Sequence, residues 1–227
     1  LSDGAIDFGR TAMSDGKIST EGATLWASEE LLLGAIGRVD IGPAVQIFSE
    51  GLVTVAANDL KVTGSLYSGV GEPEQVGGTP QWIGSNAVVD IDVTEKMVLG
   101  GWAIDQNGNQ VIRGGNIKAT GIVDVEVAGG NEALAIYINP ESSIETGAHA
   151  PAGNKPTSIK LSGDRNVQIY GEVSSVDAGS EVLVSVTTDD GLLLVDGSLK
   201  AEKSLTLNSL AKGVYLTPHE LDTDGNW

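Results

Sequence analysis

Apolar and polar residues alternate with period two along most of the chain, the mark of β-strands that turn every second side chain toward a core. No stretch carries a convincing helical period. A recurring unit is legible: a short alternating strand, a polar turn of three to five residues, then a second alternating strand that ends in Gly and one more apolar residue. Val53-Thr-Val55 followed by Leu60-Lys-Val62-Thr-Gly64-Ser-Leu66 is one copy, and Ile91-Asp-Val93 followed by Met97-Val-Leu99-Gly-Gly101-Trp-Ala103 is another. Ile159-Lys-Leu161 with Val167 to Val173, and Val184-Ser-Val186 with Leu193 to Leu199, repeat it again. Less complete copies are Val125-Glu-Val127 with Leu134 to Ile138, and Leu205-Thr-Leu207 with Val214 to Leu216.

First strands are expected to begin near residues 24, 53, 89, 123, 159, 182 and 205, giving steps of 29, 36, 34, 36, 23 and 23. A unit of about 23 residues, sometimes enlarged by about 11 to 13, accounts for every step, and periods of about 20 to 50 residues indicate solenoids, propellers or arrays. Three short strands per turn at this length predict a parallel β-helix of about seven or eight coils, stacked at ~4.8 Å. An antiparallel β-sandwich is the competing arrangement, since it too is built from short strands at regular spacing. The glycines repeated at Gly64, Gly101, Gly121, Gly171 and Gly197 favour the helix. A sharp turn between strands calls there for a residue without Cβ, often at positive φ.

Three insertions interrupt the unit. Residues 68 to 86 hold two prolines and five glycines, which no coil strand would tolerate. Residues 104 to 116 read as a β-hairpin with Asn107-Gly108 at its tip, and residues 146 to 157, with Pro151 and Pro156, form a third loop. No linker divides the chain, so residues 1–227 are expected to form one domain. A chain that begins at Leu1 and ends at Trp227 in an Asp-Gly-Asn run is expected to be a segment of a longer protein.

Composition narrows the function classes. With 31 Asp and Glu against 13 Lys and Arg, the net charge is −18, and the basic residues are too few and too scattered to engage phosphates. An anionic membrane surface would repel such a chain, and no run approaches the ~18 apolar residues of a membrane span. The absence of cysteine removes disulfides, thiolate metal sites and Cys nucleophiles. An acidic coat that keeps a protein soluble fits an extracellular or cell-surface setting.

Phrases such as Leu60-Lys-Val-Thr-Gly-Ser-Leu-Tyr-Ser, Leu193-Leu-Val-Asp-Gly-Ser-Leu-Lys-Ala and Asn116-Ile-Lys-Ala-Thr-Gly-Ile-Val are similar to the degenerate repeats of filamentous haemagglutinin-type adhesins, exported by two-partner secretion. The likeness spans most of residues 18 to 216. It implies a right-handed parallel β-helix, a long extracellular stalk, and an adhesive role toward a host or neighbouring-cell surface, glycans, or other copies of the fibre.

No catalytic constellation is legible. His149 and His219 stand outside any recognisable motif, and two isolated histidines give no zinc spacing. Asp90 and Asp92 alternate with Val89, Ile91 and Val93, so both point outward about 7 Å apart. That geometry resembles an inverting glycosidase pair, but exposed charges on a solvated strand explain it more simply. Two readings therefore stand beside the adhesin: a carbohydrate-active β-helix enzyme or phage tailspike segment, and a ligand-free filament or surface-layer component.

Calcium is the ion that Asx-rich turns would take. Asp222, Asp224 and Asn226 place oxygen ligands at alternating positions, as does Asp105-Gln-Asn107-Gly-Asn109, although plain Asx-Gly turns explain both. Trp102, Tyr137, Tyr170 and Tyr215 fall on outward positions and Trp82 lies in the longest insertion, so these five are the candidate ligand-binding aromatics. Their alternative role is to pack beneath the inserted loops or to stack coil on coil.

Overall fold

A computed structural model describes residues 6–8, 11–14, 17–20, 22–72, 81–104, 109–130, 133–147, 156–210 and 212–216. Among the described residues every regular element is a strand and none is a helix. The chain runs in circuits of three strands. Each circuit lays one strand on each of three faces, here A, B and C, and pairs in parallel with the circuits before and after it. The first places Ala23–Ala27 on face A, Glu30–Gly34 on face B and Arg38–Ile41 on face C. In the second and third, faces B and C are served by one long strand bent in the middle, Leu52–Val62 and Val88–Leu99. The seventh ends the described stack with Ser198–Ala201, Ser204–Ser209 and Val214–Leu216. Ile6–Phe8 adds one parallel strand ahead of Arg38–Ile41.

The expected starts of the units are largely the observed register. Val53 pairs with Val89, Val89 with Val123, Val123 with Ile159, Ile159 with Val182, and Val182 with Leu205. The first start is misplaced. The partner of Val53 is Leu31, on Glu30–Gly34, whereas Thr24 lies on face A, so the first step runs from Leu31 to Val53 and is a bare unit without enlargement. The run Leu31-Leu32-Leu33 hides its alternation because Leu32 is apolar yet 60% exposed.

Alternation fills the interior. Ile47, Leu66, Ile117 and Ile144 stack in register on face A, and Val55, Ile91, Val125 and Leu161 on face B, all without solvent exposure. Each such side chain contributes about 1.5–3 kcal/mol of burial, and most of its partners belong to adjacent circuits. The corner between faces A and B is lined instead by small hydroxyl residues. Ser175 Oγ sits 2.7 Å from Thr146 Oγ1 and 2.8 Å from Thr157 Oγ1, and Ser68 Oγ donates to the Gly51 carbonyl at 2.6 Å.

The recurring glycine is required for its missing Cβ, as expected, but not for a positive φ. The second circuit has Ala44 just before its face A strand, and from the third circuit on that position is Gly64, Gly115, Ser142, Gly171 and Gly197 in turn. Its carbonyl accepts from the amide of the residue after the same position one circuit on: Asn116 to Gly64 at 2.9 Å, Ser143 to Gly115 at 3.0 Å, Glu172 to Ser142 at 2.9 Å, Ser198 to Gly171 at 3.0 Å. A Cβ on Gly171 would stand 2.4 Å from the Ser142 oxygen, so glycine here permits close approach of backbone to backbone, at ordinary φ. Gly101 does not occupy this position. It has φ of +141° and opens the hairpin Gly101–Ile104 with Gln110–Arg113, after which Gly115 restores the corner. Counting forward from the preceding strand cannot see that displacement.

All three insertions leave the stack at corners. Residues 68 to 86 and 146 to 157 leave between faces A and B, and the hairpin between C and A. None breaks the register of the strands on either side.

Candidate functional site

The longest insertion is pinned at its neck. Val70 and Trp82 form an antiparallel bridge, and the Gly71 amide donates to the Gln81 carbonyl at 2.8 Å. The bridge brings Trp82 over Tyr67, ring centroids 5.7 Å apart, and Tyr67 is itself 5.7 Å from Phe48 on the previous circuit. Tyr67 and Phe48 are register partners on the outward side of face A, and Phe48 is fully buried.

The other four aromatics are dispersed. Tyr137 and Tyr170 lie on neighbouring circuits with centroids 5.6 Å apart, and burial with the neighbouring Tyr137 and Asp196 raises the Tyr170 phenol above its ordinary pKa. Trp102 is 64% exposed on the hairpin, beside its cross-strand partner Ile112, and Lys61 Nζ reaches its carbonyl at 3.4 Å. Tyr215 is half exposed on the last circuit. The five candidates therefore form no single surface.

Asp222, Asp224 and Asn226 lie outside the described residues, as do His149, His219 and positions 105–108 of the hairpin tip. Among the described residues no three His, Cys, Asp or Glu side chains are arranged to hold a metal ion.

What the fold brings together is acidic. Asp90 pairs directly with Asp124, and Asp92 with Glu126, so four carboxylates stand on the outward side of face B across two adjacent circuits. In sequence they are residues of separate units; in space they form one patch. Burial, with Asp92 and Asp124 next in effect, raises the Asp90 carboxyl above its ordinary 3.8. Lys160, one circuit on, sets Nζ 3.2 Å from Asp124 Oδ1, an ion pair whose geometry falls short of a hydrogen bond. Directly opposed like charges destabilise a sheet, and one lysine offsets only part of four carboxylates. Such a patch attracts cations and can hold a proton at Asp90 as the pH falls.

Beside the patch, where face B turns into face C, lies an open depression of about 410 Å³, lined mainly by Ala35, Ile36, Ala56 and Ala57 and bounded by Asp92 and Glu126. No protein-family model, curated protein or solved structure matches this chain.

Proposed function

We propose that the chain is a segment of a right-handed parallel β-helix acting as a rigid stalk of a secreted or cell-surface adhesin of the filamentous haemagglutinin type. Its corner insertions would meet host or neighbouring cells, glycans or other copies of the fibre. The observation that carries this reading is the continuity of register: seven circuits stack in parallel while insertions of very different length leave only at corners. Such an arrangement separates a load-bearing stack from variable contact loops.

The test is binding of the purified chain to glycan arrays and cultured cells, against a variant in which residues 72–80 are replaced by Asn-Gly. That splice keeps the neck bridge and Trp82. Adhesion predicts binding that the splice abolishes while thermal stability holds; binding untouched by the splice, or none at all, would overturn the role given to this loop.

A second reading, a filament without a ligand, is favoured by the last circuit. Leu205 and Leu216 occupy inward columns yet are 45% and 65% exposed, because no described strand stacks beyond them. Filaments seen by electron microscopy, without cell binding, would support it.

A further inference from the structure

Two outward columns of face B change character along the stack. Leu32, Thr54, Asp90 and Asp124 form one, and Gly34, Ala56, Asp92 and Glu126 the other, so both run from uncharged to acidic between the second and third circuits. The small side chains of Ala35, Ala56 and Ala57 leave the depression, whose floor is alanine. Ile36 walls it on the first circuit and is 63% exposed. On the fourth circuit Ala128 closes it, where the chain makes a longer B-to-C corner than in the second. Asn58 and Thr94 satisfy each other across its edge at 2.8 Å. The groove is thus apolar at one end and anionic at the other.

We propose that this groove docks an extended segment of another protein that carries a leucine-like side chain two residues before a lysine or arginine. Three circuit spacings of ~4.8 Å give a groove about 14 Å long, the span of about four extended residues. Side chains at i and i+2 share one face of an extended peptide. A leucine over Ile36 sets the Cα of a lysine two residues on about 7 Å along the groove, and the length of the lysine side chain spans the rest of the distance to Asp92 and Glu126. Charge complementarity selects the occupant. Lys160 is engaged by Asp124, which leaves Asp92 and Glu126 at the groove end, with Asp90 outside its lining. Nucleic acids and anionic membranes are repelled by the same carboxylates. The inference is independent of the stalk reading, since it rests on face B and not on the insertions.

Fluorescence anisotropy on the full 227-residue chain, with the labelled peptide acetyl-Leu-Ser-Lys-Ser-Lys-amide, tests it. Saturable one-to-one binding is expected. It should weaken at least tenfold with Ala56→Leu, which fills the floor without altering charge, and at least tenfold with Asp92→Asn and Glu126→Gln together. A control pair, Glu172→Gln with Asp189→Asn, removes the same charge elsewhere and should change affinity less than twofold. Peptides with Glu for Lys, or Ser for Leu, should not bind. The neutralised groove pair should also melt no lower than the parent, because it removes opposed like charges; this keeps the test decisive if Ala56→Leu fails to fold. Absence of saturable binding below millimolar peptide, equal loss in the control pair, or binding that survives a folded Ala56→Leu would overturn the proposal. A change of oligomeric state in the groove variants without peptide binding would overturn it too, and make the groove a contact between copies.

Discussion

Replacing Gly171 with alanine separates two explanations for the recurring glycine. The new Cβ would lie 2.4 Å from the Ser142 carbonyl oxygen and 2.5 Å from that of Asn139, both backbone atoms that no rotamer change can move. A Cβ essentially never comes within 3.0 Å of such an atom, so the corner of the sixth circuit must retreat by about 0.6 Å or more. The Glu172 amide starts 2.9 Å from the Ser142 oxygen, and that retreat carries it past the usual N–H···O range of about 2.7–3.2 Å. Overpacking strain of about 1–3 kcal/mol adds to about 1–3 kcal/mol for groups left unpaired. A loss of about 2–6 kcal/mol follows, centred on the fifth and sixth circuits. Amide hydrogen exchange is the suitable assay, because stability in stacked repeats is local. The Glu172 amide should exchange at least about 30-fold faster, while Asn116, two circuits away, changes little. Gly101→Ala is the control: it strains a residue at φ +141° but meets nothing nearer than Lys61 Cε at 3.7 Å, so Glu172 should be unaffected. Glu172 protection within threefold of the parent after Gly171→Ala would refute the contact explanation.

Asp90→Asn should raise the urea midpoint at pH 7 by the equivalent of roughly 0.2–1 kcal/mol, since opposed carboxylates are relieved. The Asp90 carboxyl is raised above 3.8 in the folded chain, so protonation favours folding. The parent therefore gains on the variant as the pH falls from 7 toward 3.8, and a gap that widens on acidification would contradict the assignment. In the core, Ile91→Ala should cost about 2–5 kcal/mol, whereas Leu205→Ala, already 45% exposed, should cost about 1 kcal/mol or less; equal losses by urea denaturation would show that the last circuit is covered.

Much of the architecture is legible in the chain because inward columns repeat one rule. Ile91, Val125 and Leu161 alternate with polar neighbours in sequence and pair in register in space. The first circuit escapes that rule where Leu32 breaks alternation, and Gly115 is masked because a hairpin separates it from the strand that precedes it. The outward aromatics are readable, but not Phe48, whose ring joins Tyr67 beneath Trp82 and carries no signal of its own. The groove is invisible for a topological reason. Ala56, Asp92 and Glu126 are each ordinary in their local sequence, and only a register that bridges circuits of unequal length sets them side by side.

The corner insertions also set how the chain would respond to tension. Pulled by its ends, a stack whose hydrogen bonds run from circuit to circuit unspools one circuit at a time, each releasing the contour length it stores. From Ser65 to its register partner Asn116 lie 51 residues, roughly 170 Å when extended, whereas from Glu172 to Ser198 lie 26, roughly 90 Å. The third circuit is thus a reserve of slack, and its rupture would mark a force trace with the longest step.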